Sequence, residues 1–239
     1  MTKRKNKVSD EIANSEGYDA LPLLTRPEKI AIVALGSSIG DYLKEAMSGH
    51  GMKTPWDEIW TLNRGVRGIQ HDKLFVMDDI AWLEKRDPNY ANFLKEHNKP
   101  IITSFAYSDY PRAIEYPLQE VMATIQDDVF TVNTVSYMVA YAIHIGVKEL
   151  SIYGADFFYP GGNTAEEGGQ AVAYLLGMGR HFGFTHRIPQ SSTLLYAHKA
   201  RQLPNGTVGR EPYGYHRKAQ IAQKEAQEAK SRERRERKD

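Results

Sequence analysis

Residues 133–159, N-T-V-S-Y-M-V-A-Y-A-I-H-I-G-V-K-E-L-S-I-Y-G-A-D-F-F-Y, constrain the fold more than any other stretch of the chain. They read as a polar turn, an apolar helix, a glycine stop, a short strand from Leu150 to Tyr153 and a polar strand end at Asp156. A helix followed at once by a buried strand is half of a helix-on-parallel-sheet unit. Ligands of open α/β sheets sit at the carboxyl ends of such strands. The expectation is that Asn133, Thr134, Ser136 and Asp156 line one small-molecule pocket, completed by residues much earlier in the chain.

The earlier part supplies strands of the same kind. Lys29–Leu35, K-I-A-I-V-A-L, is apolar, β-branched and too short for a helix, as a buried parallel strand should be. It runs into Gly36-Ser37-Ser38-Ile39-Gly40 and then the helical text D-Y-L-K-E-A-M. Glu58–Asn63 and Lys73–Met77 are the next strands, and Pro100–Ser104 is a fourth. Between them, Ile80–His97 reads as helix interrupted at Asp87-Pro88, because proline cannot continue a helix. Strands alternating with helices predict a single Rossmann-like α/β domain, with a mostly parallel sheet and helices on both faces.

The remaining segments are less regular. Phe105–Asp128, with prolines at 111 and 117, reads as a loop-rich insertion over the sheet edge. Residues 160–164, P-G-G-N-T, read as a flexible loop and candidate lid before a helix from Ala165 to Phe182. Beyond Phe184 the pattern fades, and the Pro204-Asn205-Gly206 turn joins a small hairpin or an irregular cap. These divisions give an N-terminal arm at 1–25, the domain at 26–216 and a charged helical or disordered tail at 217–239.

Composition bounds the chemistry. The 239 residues are enough for a substantial core, and the net charge of +1 conceals basic ends around a near-neutral body. No cysteine is present, so disulfides, thiolate metal sites and cysteine nucleophiles are excluded. No apolar run approaches the roughly 20 residues that span a bilayer, and the basic start is followed by Asp10 and Glu11 rather than a signal-peptide core. A cytoplasmic protein with no membrane partner is the expectation, and homo-oligomerisation is compatible with it. From Arg217 onward nine Lys and Arg face five Asp and Glu, a basic balance that would suit a polyanion.

Four strand ends stop in hydrogen-bonding residues. Gly36, Ser37 and Ser38 sit where a helix starts, so backbone N–H groups and two hydroxyls can face an anion, or simply cap the helix. The turn has neither a Walker lysine nor the three-glycine dinucleotide fingerprint. Asn63 can bond a base or ribose, or cap the next turn. Asp78 and Asp79 offer hard oxygen ligands, although Asp79 also suits a helix cap and the pair lacks an Asp-x-Asp gap. Asn133, Thr134 and Ser136 again mark a helix start. Eight histidines show no metal-ligand spacing, and no metal is expected. His181 and His186, with Glu166 and Glu167, are the candidate general bases.

The run from Asn133 to Phe158 resembles the threonine-serine-glycine helix and Gly-x-Asp-Phe-Tyr strand end of bacterial CMP-sialic acid-dependent sialyltransferases. It is also similar to related glycosyltransferases of motility-associated type and allied phage proteins. A-L-G-S-S-I resembles that group's Gly-Asn-Gly-Pro-Ser-Leu, and W-T-L-N its second strand. The resemblance spans roughly Ile30 to Tyr159. It implies that Gly36, Ser37, Ser38, Asn63 and Thr134 lie around the donor nucleotide, that Asp156 matches the motif aspartate, and that His186 is the base. Leu35, Val135 and Phe158 depart from the pattern, with Tyr159 able to replace the missing tyrosine by a one-residue shift. The same stretch therefore implies a changed donor or lost catalysis.

These observations define two expectations. The first is a metal-independent glycosyltransferase that needs no cofactor and moves a sugar from a nucleotide-sugar co-substrate to a hydroxyl. Its acceptor would be a hydroxymethylated pyrimidine in phage DNA, reached through the basic termini in a host cytoplasm. The second is a non-catalytic nucleotide-binding protein on the same fold, for sequestration of a nucleotide signal or as a scaffold.

Overall fold

The computed structural model describes residues 26–48, 54–126, 131–157, 164–199, 201–202, 208–209 and 224–230. Lys29–Val33 (β1) is an apolar strand with every residue after Lys29 buried. A turn leads to Ile39–Ser48 (α1), then Glu58–Leu62 (β2), a 3-10 turn at Asn63–Arg67, and Lys73–Val76 (β3). Ile80–Arg86 (α2) and Pro88–Lys95 (α3) are two helices that meet at Asp87. Asp87 ends the first and caps the second, its side chain accepting from Tyr90 N, while Pro88 enters where a missing N–H costs nothing.

Ile101–Thr103 (β4) and Ala113–Glu115 (β5) follow, then Leu118–Ile125 (α4), Thr134–Ile145 (α5), Glu149–Tyr153 (β6), Thr164–His181 (α6) and Thr185–Arg187 (β7). Arg201–Gln202 (β8) and Val208–Gly209 (β9) pair antiparallel in a second, two-stranded sheet. Residues 224–230 of the tail are helical and exposed.

The main sheet has the order β5-β4-β3-β2-β1-β6-β7, and every neighbouring pair is parallel. Alternation along β1 divides the core. Ile30 and Ile32 point with Trp60 and Phe75 into a cluster filled by Val121, Met138, Val139, Val172 and Leu176 of α4, α5 and α6. Ala31 and Val33 point the other way, against Tyr42 of α1 and Trp56. Further along that second face, Leu74 and Val76 pack on Ile80, Tyr90 and Leu94 of α2 and α3. Helices therefore cover both faces of a single α/β domain, as the alternation of strands and helices predicts.

The order also locates a reversal. From β1 the chain steps outward to β5, then returns across the opposite face through α4 and α5 to place β6 on the free side of β1. The loops after β1 and β6 thus leave towards opposite faces, which is the topological switch point where α/β sheets bind ligands.

Two segments depart from the sequence reading. The expected loop-rich insertion at 105–128 contains β5 and α4. Strand β5 is only three residues long and partly exposed, so it lacks the apolar run that marks the inner strands. The faded region after Phe184 begins with β7, an equally short edge strand whose burial is only partial. The strand expected to run to Asn63 ends at Leu62, because Asn63 turns left-handed at φ +46. Residues 1–25, 160–163 and 204–206 fall outside the described residues.

Candidate functional site

At the switch point the β1 and β6 turns interlock through their glycines. Gly36 N donates to Gly154 O at 2.7 Å, and Ala34 N donates to Tyr153 O at 2.8 Å. A Cβ on Gly154 would lie 2.1 Å from the Ala34 carbonyl oxygen, and φ there is +68. A Cβ on Gly36 would lie 2.5 Å from Gly154 O and 2.6 Å from Asp156 Oδ2. Neither position has room for a side chain.

This contact brings Asp156 onto the first turn. Ser38 N donates to Asp156 Oδ2 at 2.8 Å, Ser38 Oγ to Oδ1 at 2.6 Å, and Ser37 Oγ to Oδ2 at 3.1 Å. Ser38 Oγ in turn accepts from Gly154 N at 2.8 Å. Thr193 Oγ1 donates to the Asp156 carbonyl, so the segment after β7 is tied in as well. Burial alone would raise the Asp156 pKa. Hydrogen bonds from Ser192, Ser38 and Ser37 outweigh it and hold the carboxyl below the usual aspartate range.

Sequence reasoning places an external anion at the amino end of α1. The structure fills that place with the Asp156 carboxylate. Asp156 is buried and engaged on both oxygens, so its part is to position the two turns and it does not reach outward as a catalytic group. The Ser37 and Ser38 hydroxyls expected on a donor phosphate are spent on it.

The second helix start keeps open groups. Asn133 caps α5, its Oδ1 accepting from Ser136 N at 2.9 Å, while Ser136 Oγ accepts from Asn133 N at 3.1 Å. Ser136 is fully buried, which makes it a capping residue rather than the pocket-lining one expected. The Asn133 Nδ2 is buried and has no hydrogen-bond partner among the described residues. It lies against the start of α6, where a Cβ on Gly168 would approach Nδ2 to 2.8 Å and the Phe157 ring to 3.0 Å. Asn133 is thereby brought beside the residue that follows Asp156. Thr134 is the first residue of α5 and is half-buried.

Asn63 follows the end of β2, the strand next to β1. Its Oδ1 is likewise buried without a partner among the described residues. Leu35, 61 % exposed, stands at the β1 end and reaches towards Gly65 of the 3-10 turn, within 3.8 Å of where a Cβ there would sit. The open part of the edge thus has an apolar rim and two unsatisfied amides. A buried amide atom left unpaired costs roughly 1–3 kcal/mol, so such atoms are uncommon unless something else meets them.

The other candidates lie elsewhere. His186 pairs in register with Leu150, near the start of β6, so Gly154 lies four residues further on, about 13 Å at strand rise. The sheet therefore places His186 away from the carboxyl edge. Burial, with Arg180 nearby, pushes its imidazole pKa down, and its Nδ1 is unpaired. His181 ends α6, further still from the helix start that faces the site. Asp79 caps α2 by accepting from Ala81 N, and among the described residues no group of three or more His, Asp or Glu is placed to hold a metal ion. Tyr159 falls outside the described residues, and so does the side chain of Glu166.

A cleft of about 770 Å³ lies away from this edge, beside the amino ends of β2, β3 and β4. Size alone does not make it the site of the switch-point chemistry. The carboxyl edge is where the unpaired amides and the reversal of the chain coincide.

Fold and site together define a doubly wound α/β protein with its candidate ligand groups at the switch point. No family model matches the sequence, and no curated protein matches it. Among solved structures, the sialyltransferase CstII from Campylobacter jejuni in complex with CMP-3FNeuAc aligns with 70% of this chain and 82% of its own, at 16% identity and a TM-score of 0.44. An α-2,3-sialyltransferase from Campylobacter jejuni in apo form aligns with 70% of this chain and 77% of its own, at 17% identity and a TM-score of 0.42. At this overlap the likeness assigns no residue. No helix among the described residues is long and apolar enough to cross a membrane.

Proposed function

We propose that the protein binds a nucleotide sugar at the carboxyl edge of its sheet and transfers the sugar to a hydroxyl acceptor. The observation that carries the binding is the coincidence of two buried, unpartnered amide atoms, Asn63 Oδ1 and Asn133 Nδ2, with the β1/β6 switch point. Asn63 Oδ1 accepts from a base or ribose donor, and Asn133 Nδ2 donates to a ribose or phosphate oxygen. The first N–H groups of α5, beginning at Thr134, have no intrahelical partners and favour negative charge. Leu35 offers an apolar surface to a base. The transferase reaction itself is supported by the sequence resemblance described above.

In this arrangement the departing nucleotide develops negative charge at the α5 start, where fixed dipoles stabilise it. Asp156 holds the β1 and β6 turns at one spacing and fixes the floor beneath the ligand. A hydroxymethylated-pyrimidine acceptor in DNA rests on the basic ends of the sequence alone, which lie largely outside the described residues.

One observation favours a second reading, a nucleotide-binding protein without turnover. The amino end of α1, a natural phosphate position, is already filled by Asp156. Incubating purified protein with a panel of nucleotide sugars, CMP-sialic acid included, and following release of free nucleotide separates the two. Release supports transfer chemistry. Tight nucleotide binding with no release from any donor supports the second reading, and no binding at all overturns both.

A further inference from the structure

The connection from β2 to β3 and the segment before β4 wall the cleft of about 770 Å³ at the other edge of the sheet. Its size is that of small-molecule sites. Two cations, Arg67 and Lys99, two imidazoles, His71 and His97, and two carboxylates, Asp57 and Asp72, face one space. Arg67 and Lys99 are exposed, and neither pairs with a carboxylate among the described residues. The Arg67 guanidinium lies 5.9 Å from the Phe93 ring centre, and that ring lies 5.7 Å from the His97 ring, so one aromatic group supports both.

The two imidazoles form a pair whose protons can be placed. His71 Nδ1 lies 2.8 Å from the Ile69 carbonyl oxygen, which can only accept, so Nδ1 carries a proton. Neutral His71 therefore presents a lone pair at Nε2, and His97 Nε2–H donates to it at 3.1 Å with the rings inclined by only 9°. That leaves His97 Nδ1 as the nitrogen of the pair able to take up a further proton.

Each carboxylate of the cleft holds backbone amides through one of its oxygens. Asp57 Oδ2 accepts from Glu28 N at 3.0 Å and Lys29 N at 2.9 Å, and Asp72 Oδ2 accepts from Ile59 N at 2.8 Å. They brace the strand starts and keep their charge, while Arg67 and Lys99 make no direct ion pair with a carboxylate among the described residues.

We propose that this cleft is a second ligand site, for a small molecule bearing a phosphate or diphosphate group, with Arg67 and Lys99 as fixed charges and the His97–His71 pair as a donor that gains a proton on binding. Arg67 supplies a planar fork suited to phosphate oxygens, and Lys99 a compact charge beside both imidazoles. Burial, then His71 and Lys99, push the His97 pKa down to about 4. Burial and Lys99 likewise lower His71, opposed by the Ile69 carbonyl and Asp72. A bound anion opposes both effects, so the pair takes up a proton and binding tightens as pH falls from 8 towards 6.

The test uses the full-length protein and inorganic pyrophosphate, followed by titration calorimetry at pH 8 and pH 6. Wild-type protein should bind, and more tightly at pH 6. The double variant Arg67→Ala/Lys99→Ala should lose at least about tenfold in affinity, with an unchanged thermal midpoint because both side chains are exposed. His97→Gln should bind nearly as well as wild type at pH 8 and gain less on acidification, a comparison in which protonation of the ligand cancels. Absence of pyrophosphate binding, or equal affinity in the double variant, overturns the proposal. Loss of binding in Asn63→Gly or Asn133→Ser would also overturn it, by moving the anion to the carboxyl edge.

Discussion

Ser38 and Asp156 stand 118 residues apart in the chain and are joined twice, the Ser38 amide at 2.8 Å and its hydroxyl at 2.6 Å meeting the two oxygens of one carboxylate. Hydrogen bonds to a charged group contribute about 1.5–3 kcal/mol each, so this pair is among the strongest links between the halves of the sheet. Asp156→Asn should therefore destabilise the domain by about 2–4 kcal/mol, since an amide cannot accept on both sides. Urea unfolding at neutral pH measures it.

The same carboxylate gives a pH signature. Its folded pKa lies below the unfolded value near 3.9, so its stabilisation is fully present above that value and is lost as pH falls through the folded pKa. Wild-type stability should fall along an acid limb that is shallower in Asp156→Asn. Identical acid limbs in denaturation curves from pH 6 to pH 2.5 would count against the assignment.

Asn133→Ser keeps a good N-cap while removing the unpaired Nδ2, and Asn63→Gly removes the unpaired Oδ1 from a residue at φ +46, which glycine tolerates. Both variants should stay within about 1 kcal/mol of wild-type stability and bind nucleotide about tenfold more weakly. Loss of stability with unchanged nucleotide affinity would make the amides structural.

Gly154→Ala places a methyl group 2.1 Å from the Ala34 carbonyl oxygen at a left-handed φ. The two turns must then separate, and the expected cost is above about 3 kcal/mol. Gly177→Ala in α6, where a Cβ meets nothing within 4 Å, is the matched control and should be neutral or stabilising. Thermal melts of the pair provide the comparison.

His186→Gln should leave nucleotide release from any active donor within about twofold of wild type, because β7 holds this residue about 13 Å short of the Gly154 turn. Steady-state kinetics decide the matter, and a drop in kcat of a hundredfold or more would make His186 the base.

How far the sequence was legible depends on length and on partners. Strands β1 and β6 and the twelve residues of α5 declare themselves by their apolar content, because each strand is buried after its first residue and most of α5 is buried. Strands β5 and β7 do not, since three residues at a sheet edge need no apolar run. For the site, Asn63 and Asn133 were legible as polar ends of elements. The fate of Ser37 and Ser38 was not, because a helix start that awaits a ligand and one satisfied by a distant aspartate read alike. The relevant signal, Asp156 two residues after Gly154, becomes informative only when the register of β1 on β6 is known. The imidazole pair at 71 and 97 was hidden for the same reason, since only the adjacency of the segments before β3 and β4 unites them.

The placement of β1 between β2 and β6 has a consequence for how the protein is made. During synthesis β1 can pair on one side as soon as β2 emerges, but its other side stays open until the chain has grown past residue 149. Through that interval an apolar strand presents bare amide and carbonyl groups to solvent, the condition that invites pairing with a wrong chain. The contact that closes it is also the one that seats Asp156 on Ser38, so the floor of the ligand site forms in the same step that ends the exposure. A nascent chain stalled before β6 would hold most of a sheet and no site.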